Sequence, residues 1–110
     1  MHEFGLCASV VDAVQRRAGD RPVASVRVRV GRLHHVHPEA WDQSFTVAAM
    51  GTVAADATAD LVLLPVRALC GACGATWEAD DVPPACPSCS SGDVEAAGGD
   101  ELVLESITYR

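Results

Sequence analysis

The alternation of apolar and polar residues predicts two amphipathic helices in the first half of the chain. Over residues 4–18, apolar side chains recur at three- and four-residue spacing, and Gly19 suits the end of a helix. A second helix is predicted to begin at Pro38, because proline favours the first helical position, and to end at Gly51. Its apolar stripe comprises Trp41, Phe45, Ala48 and Ala49. Each helix therefore has one face to bury.

Strand patterns lie between and after these helices. Residues 23–30 alternate valine and arginine towards their end, which is typical of a half-buried strand. Residues 61–69 predict a strand in which Pro65 indicates an edge or a bulge. Residues 94–97 and 101–109 predict two more strands. The expected fold class is α+β, with two helices packed on a small mixed three-stranded sheet and an inserted zinc-ribbon-like module that carries four cysteines.

Four cysteines carry the strongest chemical pattern in the chain. Cys70-x-x-Cys73 and Cys86-x-x-Cys89 each place two sulfurs on one tight turn, so that two turns can surround one Zn(II) ion tetrahedrally. Four thiolates leave no open coordination position, so we interpret this zinc site as structural. The fifth cysteine, Cys7, falls on the apolar side of the first helix, where a buried free thiol is expected.

Composition and charge narrow the classes of function. The 110 residues, 49% of them hydrophobic, suit one compact body and contain no apolar run long enough to span a bilayer. The start, Met1-His2-Glu3, lacks the basic region of a secretory signal, so a cytoplasmic protein is expected, and cysteines in that compartment favour metal over disulfides. The net charge of −7, with no Lys or Arg between Cys70 and Asp100, excludes nucleic acid as an expected partner.

The amino terminus offers a second set of metal ligands. The α-amine of Met1, the backbone amide of His2 and the His2 imidazole follow one another in chelating order, which suits a square-planar ion such as Ni(II) or Cu(II). Glu3 could add a carboxylate ligand or hold the imidazole. The alternative is that His2 is an exposed residue without function, as residues near a terminus commonly are.

The other three histidines fall in the loop before the second helix, at His34, His35 and His37. One interpretation is a polar loop with His37 near an N-cap. The other is that His37 supplies a fourth nickel ligand. The second interpretation requires this loop to lie beside the start of the first helix.

Together these features resemble the HypA/HybF hydrogenase nickel-incorporation proteins. The matching segments are Met1-His2-Glu3 opening a helix, a strand ending in Val30-Gly31, the stretch Val36-His37-Pro38-Glu39-Ala40, and two CxxC pairs followed by a final strand. The resemblance implies a nickel metallochaperone that serves [NiFe]-hydrogenase maturation and, in some organisms, urease. It also implies two partners, the nickel-incorporation GTPase and the hydrogenase large-subunit precursor.

Carried over residue by residue, the resemblance implies nickel at Met1, His2 and Glu3, with His2 as the principal ligand. It implies zinc at the four cysteines, Cys70, Cys73, Cys86 and Cys89. Where many members have an Asp before the Pro-Glu pair, this chain has His37. A second departure is the Arg32-Leu33-His34 stretch, where Glu-Leu-Ser is common.

The expected domains follow the two metals. Residues 1–69 plus 94–110 are predicted to form a nickel-binding α/β domain, and residues 70–93 a zinc-binding module inserted between two strands.

Two other functions suit the cysteine pattern. A zinc-ribbon module that binds a protein partner without nickel would contain zinc alone. An iron-containing electron carrier of the rubredoxin type is less favoured, because few aromatic residues besides Trp77 lie near the cysteines. An enzyme is not expected, because Ser9, Ser44 and Ser106 have no nucleophile–base pattern around them.

Overall fold

A computed structural model describes residues 2–110, with two helices and six strands in that range. The helices are α1 (His2–Ala18) and α2 (Pro38–Ala49), and a single 3-10 turn covers Arg32–His34. The strands are β1 (Val23–Gly31), β2 (Thr58–Leu64), β3 (Val66–Cys70), β4 (Thr76–Ala79), β5 (Val94–Gly98) and β6 (Leu102–Tyr109). The expected α+β class is confirmed, and the predicted helix and strand positions agree to within a few residues at most boundaries. Within the described range, neither helix is long and apolar enough to cross a bilayer.

Pro65 divides the segment that the sequence predicts as one strand. Thr58–Leu64 and Val66–Cys70 are separate strands of different sheets, one ordered β2-β1-β6 and the other β4-β3-β5. Proline has no N–H to donate to a strand ladder, so the chain leaves one sheet at this position and enters the next. The structure therefore has a second three-stranded sheet beyond the one expected.

The first of two compact units has a conventional apolar core. It contains the chain through Arg29, Val36–Val62 and Leu102–Arg110, and α1 packs on both α2 and β6. Trp41 and Phe45 are almost completely buried, and Cys7 is fully buried as expected. The Cys7 thiol lies 3.5 Å from the Trp41 carbonyl oxygen, and burial raises the pKa of this thiol to about 12.

The arginines of β1 point to the exposed side of the first sheet, as their alternation with valines predicts. Arg27 lies 3.0 Å from Asp60 of β2 and 3.8 Å from Glu105 of β6, and Arg29 lies 3.7 Å from the same glutamate. On the opposite side Val26, Val28 and Val30 are buried. Ion pairs this exposed contribute at most about 1 kcal/mol each, so the buried valines supply most of the stabilisation.

The second unit is built around β3 and carries the four cysteines. It contains Val30–His35 and Leu63–Glu101, and β3 pairs antiparallel with β4 and with β5. The backbone N–H of Gly31 donates to the Glu101 carbonyl at 2.8 Å. A Cβ on Gly31 would collide with the Gly99 carbonyl, so only glycine allows this close approach. The predicted zinc module at residues 70–93 was defined by metal binding, whereas the two units here are defined by compactness. The predicted domain bounds therefore stay a prediction.

The two cysteine pairs occupy turns with the same backbone hydrogen bonds. In each turn the N–H of the first cysteine, Cys70 or Cys86, donates to the carbonyl five residues later. The N–H four residues later donates back to the carbonyl of that first cysteine, and all four N···O distances are 2.8 or 2.9 Å. The residue at this later position adopts a left-handed backbone conformation in both turns, with φ 78° at Gly74 and φ 64° at Ser90. The turns are therefore equivalent except that only one has the residue suited to its backbone.

Exchanging the residues at these two positions should have opposite effects on stability. Ser90→Gly removes a side chain from a left-handed position and is expected to raise the free energy of unfolding by about 1 kcal/mol, whereas Gly74→Ser should lower it by about 1 kcal/mol. No atom lies within 4 Å of a Cβ built at Gly74, so the backbone conformation alone accounts for the expected loss. Urea unfolding of both variants measures the difference, and a destabilised Ser90→Gly protein would contradict the equivalence of the turns.

Candidate metal centres

The four cysteine sulfurs converge at one point of the second unit. The two turns bring all four Sγ atoms within 4.8 Å of one another. Cys70 Sγ lies 3.6 Å from Cys89 Sγ, and Cys73 Sγ lies 3.7 Å from Cys86 Sγ. A tetrahedron of sulfurs bound to zinc at about 2.3 Å has S···S edges of about 3.8 Å. The cluster therefore fits a four-thiolate metal site of the kind that zinc occupies.

The negative charge of the four thiolates explains why this sulfur cluster favours a bound cation. Burial opposes ionisation of the Cys86 thiol, but hydrogen bonds from the backbone N–H groups of Cys89 and Ser88 and from neighbouring thiols favour the thiolate. Together they lower the pKa of Cys86 to about 7. The Ser88 nitrogen lies 3.3 Å from the Cys86 sulfur. The Ser91 N–H has the largest single effect on Cys89 and favours its thiolate, but the Cys70 thiol, burial and the other two thiols together outweigh it and raise the pKa of Cys89 to about 12. Four thiols this close cannot all ionise unless a bound cation offsets their charge.

The start of α1 and the start of α2 lie side by side, as a fourth ligand at His37 would require. The carboxylate of Glu3 joins them. Its Oε1 lies 3.3 Å from Nδ1 of His2, and its Oε2 accepts a hydrogen bond from the backbone N–H of His37 at 3.3 Å. Glu3 is 8% exposed, whereas the His2 side chain is 51% exposed.

Glu3 keeps its charge in this setting. The first N–H groups of a helix lack intrahelical partners and favour a carboxylate. Its own backbone N–H and, against the effect of burial, the N–H of His37 lower the pKa of Glu3 below its ordinary value. At neutral pH a negative charge therefore sits beside the His2 imidazole.

The remaining loop histidines contact the second unit to which they belong. His34 Nε2 lies 2.8 Å from the Asp100 carbonyl oxygen, and His35 Nε2 lies 3.9 Å from a carboxylate oxygen of Asp81. Neither contact involves His2 or Glu3. His37 is the loop histidine whose backbone N–H contacts Glu3 at the start of α1.

Among residues 2–110, the four cysteines form the one cluster in which three or more His, Cys, Asp or Glu donors already converge. Met1, whose α-amine completes the expected nickel chelate, lies outside the described residues. The nickel assignments at Met1, His2, Glu3 and His37 therefore stay predictions.

Two groups that support these sites were not predicted from the sequence. The Ser88 N–H contacts the Cys86 sulfur, and Ser90 occupies the left-handed position of the second turn. The left-handed conformation of Ser90 could have been predicted, because Ser90 follows the second CxxC pair as Gly74 follows the first, and glycine is typical of left-handed positions. Arg32 also lies 3.7 Å from Asp80, whose side chain is exposed.

Comparison with known proteins agrees with this architecture. Residues 1–109 match the HypA family model, described as hydrogenase/urease nickel incorporation, metallochaperone. The chain is 36% identical over 110 residues to the hydrogenase maturation factor HypA of Rhodopseudomonas palustris (strain BisB5), covering 97% of both proteins. It is also 36% identical to that of Chlorobium limicola over 111 residues, covering 98% of this chain and 96% of the relative.

Solved structures support the fold independently. The solution structure of the Ni metallochaperone HypA from Helicobacter pylori matches with a TM-score of 0.66 at 20% identity, covering 97% of this chain and 96% of that one. A second HypA solution structure matches with a TM-score of 0.65 at 21% identity, covering 100% of this chain and 97% of that one. The family match over nearly the whole length, with relatives above 30% identity, shows that the chain belongs to the HypA family of hydrogenase and urease nickel-incorporation metallochaperones.

Proposed function

We propose that this protein is a nickel carrier that binds Ni(II) at its amino terminus and delivers it during [NiFe]-hydrogenase maturation. Family membership supports the cargo and the pathway. The observation that carries the proposed location is the position of Glu3, whose carboxylate contacts both His2 and the backbone of His37. Two residues that the sequence predicts as nickel ligands thus contact the carboxylate of a third.

The proposed chelate needs the backbone amide of His2 to lose its proton. This residue is the first of α1, and the first four N–H groups of a helix make no intrahelical hydrogen bond. A metal can therefore replace that proton without breaking the helix. The His2 Nδ1 atom, which closes the chelate ring with this amide, lies on the side facing Glu3 Oε1.

Glu3 has two tasks in this proposal. It orients the imidazole before nickel arrives, and its charge attracts the dication and partly offsets the charge that the ion brings. Through the His37 N–H it also fixes the loop that would supply the fourth ligand. We include Glu3 as a ligand or orienting residue and His37 as the fourth ligand.

The surroundings of these residues are open, which suits a carrier. Glu3 borders a shallow cleft of about 260 Å³ lined otherwise by Phe4 and residues of α2. His37 borders a wider surface depression at the start of α2, and His2 is half exposed. An ion held here remains within reach of an acceptor protein, whereas an enclosed ion would leave slowly.

For the four cysteines we propose structural zinc. The S···S distances fit tetrahedral coordination, and four protein thiolates leave no position for a substrate. Zinc would hold together a stretch that lacks its own core, because Cys86 is the only buried residue between Gly71 and Asp93. In our proposal the nickel-binding part is 1–69 plus 94–110, and the zinc module is 70–93.

The remaining assignments follow from the family role. We propose the nickel-incorporation GTPase and the hydrogenase large-subunit precursor as partners, urease as a second client, and the cytoplasm as the place of action. A carrier passes an ion on without making or breaking covalent bonds of a substrate, so the proposed function is not enzymatic.

Removing the His2 imidazole tests the location of nickel. His2→Ala is expected to weaken Ni(II) binding at least about 100-fold, since losing a mere outer partner of a metal site commonly costs 10- to 100-fold. Calorimetric titration of untagged, zinc-loaded protein near neutral pH measures this, with the visible spectrum reporting square-planar coordination. A tag of several glycines ahead of Met1 should cause the same loss, because it carries the α-amine out of chelating distance of His2.

The matched control is the same glycine tag added after Arg110, which should leave nickel affinity unchanged. Equal nickel affinity in the wild-type and His2→Ala proteins would overturn the amino-terminal site. Zinc as the only metal bound would favour a zinc-ribbon interaction module instead.

The fourth ligand is tested by comparing two histidines of the same loop. His37→Ala is expected to shift the visible spectrum of the nickel complex and lower its affinity by about tenfold, whereas His35→Ala should do neither. Binding by wild-type protein should strengthen as pH rises, since the amine, amide and imidazole nitrogens must release protons to bind nickel. An unchanged spectrum in His37→Ala would assign the fourth position to another group.

Zinc removal tests the structural site. Loss of zinc, or Cys73→Ser, is expected to lower the melting temperature by more than about 10 °C, because metal binding and folding of the module are coupled. Ser88→Ala is the control: it keeps the N–H that contacts Cys86 and should stay within about 0.5 kcal/mol of wild type. A melting temperature unaffected by zinc chelation would refute the structural role.

A further inference from the structure

We infer that the four-cysteine site is also a redox modification site, in which two crossed disulfides, Cys70 with Cys89 and Cys73 with Cys86, replace zinc. The inference rests on the proposed zinc site. It predicts which cysteines pair, what happens to the fold and which cysteine is spared.

The sulfur geometry favours the crossed pairs. Cys70 Sγ and Cys89 Sγ are 3.6 Å apart, and Cys73 Sγ and Cys86 Sγ are 3.7 Å apart. A disulfide has an S–S length of about 2.05 Å, so each pair needs to close by roughly 1.6 Å, within reach of side-chain rotation. Both pairs connect the first turn to the second.

Accessibility agrees with this pairing and disfavours joining the two shielded cysteines to each other and the two exposed ones to each other. Cys70 and Cys86 are 1% and 2% exposed, whereas Cys73 and Cys89 are exposed. Each crossed pair therefore combines one sulfur that an oxidant can reach with one that is shielded. A reachable cysteine beside a resolving cysteine is the arrangement in which oxidation proceeds to a disulfide rather than to higher acids.

The chemistry needs one oxidant, a peroxide. The exposed thiolate of Cys73 or Cys89 attacks hydrogen peroxide, the O–O bond breaks, and a sulfenic acid and hydroxide form. The shielded thiolate, Cys86 or Cys70, then attacks the sulfenic sulfur, forming the S–S bond and expelling a second hydroxide. Two protons convert the hydroxides to water. Each disulfide thus consumes one peroxide and two thiolates, and zinc leaves because its ligands are oxidised.

Crossed pairing keeps the two turns together. Disulfides within each turn, Cys70 with Cys73 and Cys86 with Cys89, would leave the turns unconnected once zinc departs. The stretch between Gly71 and Asp93 buries only Cys86, so apolar packing cannot replace that connection. Crossed disulfides preserve the folded module in the absence of metal, so the change is reversible on reduction.

Cys7 provides an internal reference. It is fully buried in the first unit and contacts the Trp41 carbonyl. A shielded thiol of this kind reacts slowly with peroxide. Selective oxidation of the cluster should therefore leave one reduced cysteine per chain.

The experiment treats zinc-loaded wild-type protein with about two equivalents of hydrogen peroxide. Release of about one zinc per chain is expected, with the free thiols falling from five to one, and with reversal by dithiothreitol and zinc. Proteolysis at Glu78, between the turns, should leave the two halves joined by disulfides, and peptide fragmentation should identify the crossed pairs. Amide hydrogen exchange of β3 and β4 should stay close to that of the zinc form.

Two double variants test whether a close pair of one exposed and one shielded cysteine oxidises faster than two shielded cysteines. Cys73→Ser with Cys86→Ser leaves one crossed pair, and Cys73→Ser with Cys89→Ser leaves the two shielded cysteines; the first should cross-link at least about tenfold faster under peroxide. Should these variants fail to fold, the wild-type map decides. Disulfides within the turns, sulfinic acids at Cys73 and Cys89, or retained zinc would each overturn the inference while leaving the zinc site intact. A protein isolated without zinc would instead overturn the proposed site itself.

Discussion

Repulsion among four converging thiolates is the constraint on which the second unit depends. The two turns bring the sulfurs within 4.8 Å of one another, a distance at which they cannot all ionise without a cation. The surrounding stretch buries only Cys86 between Gly71 and Asp93, so apolar burial gives it little stability. Its fold therefore depends on whatever binds those sulfurs, zinc in our proposal or crossed disulfides in the further inference.

The first unit is stabilised in a different way and consequently presents a different chemistry. Trp41, Phe45 and the valines of α1 and β1 form an ordinary apolar core. Because this core contains no cluster of metal ligands among the described residues, the half-exposed His2 side chain at the start of α1 is not needed to stabilise it, which agrees with the ion exchange that we propose there. In our proposal, four sulfurs that fill every coordination position suit a permanent metal, and an exposed imidazole suits a transported one.

Most of the local structure could be predicted because it depends on short periodicities. Helical spacing located α1 and α2, alternation of valine and arginine located β1, and the spacing of Cys70, Cys73, Cys86 and Cys89 indicated a four-sulfur cluster. The break at Pro65 was only partly anticipated. A proline indicates that a strand ladder is interrupted, but whether the chain then continues in the same sheet depends on partners far away in sequence.

What the sequence by itself determined is thus both helices, most of the strands, the sulfur cluster and the family, since each follows from neighbours a few residues apart or from motifs read in order, whereas β4 was not predicted. Only the tertiary structure decided that Glu3 contacts the backbone of His37. It likewise decided that His34 contacts Asp100, that His35 contacts Asp81, and that each exposed cysteine lies next to a shielded cysteine of the other turn. These contacts join residues that are far apart in sequence. Hydrophobic periodicity relates only residues of the same helix or strand, so it cannot predict which distant side chains meet.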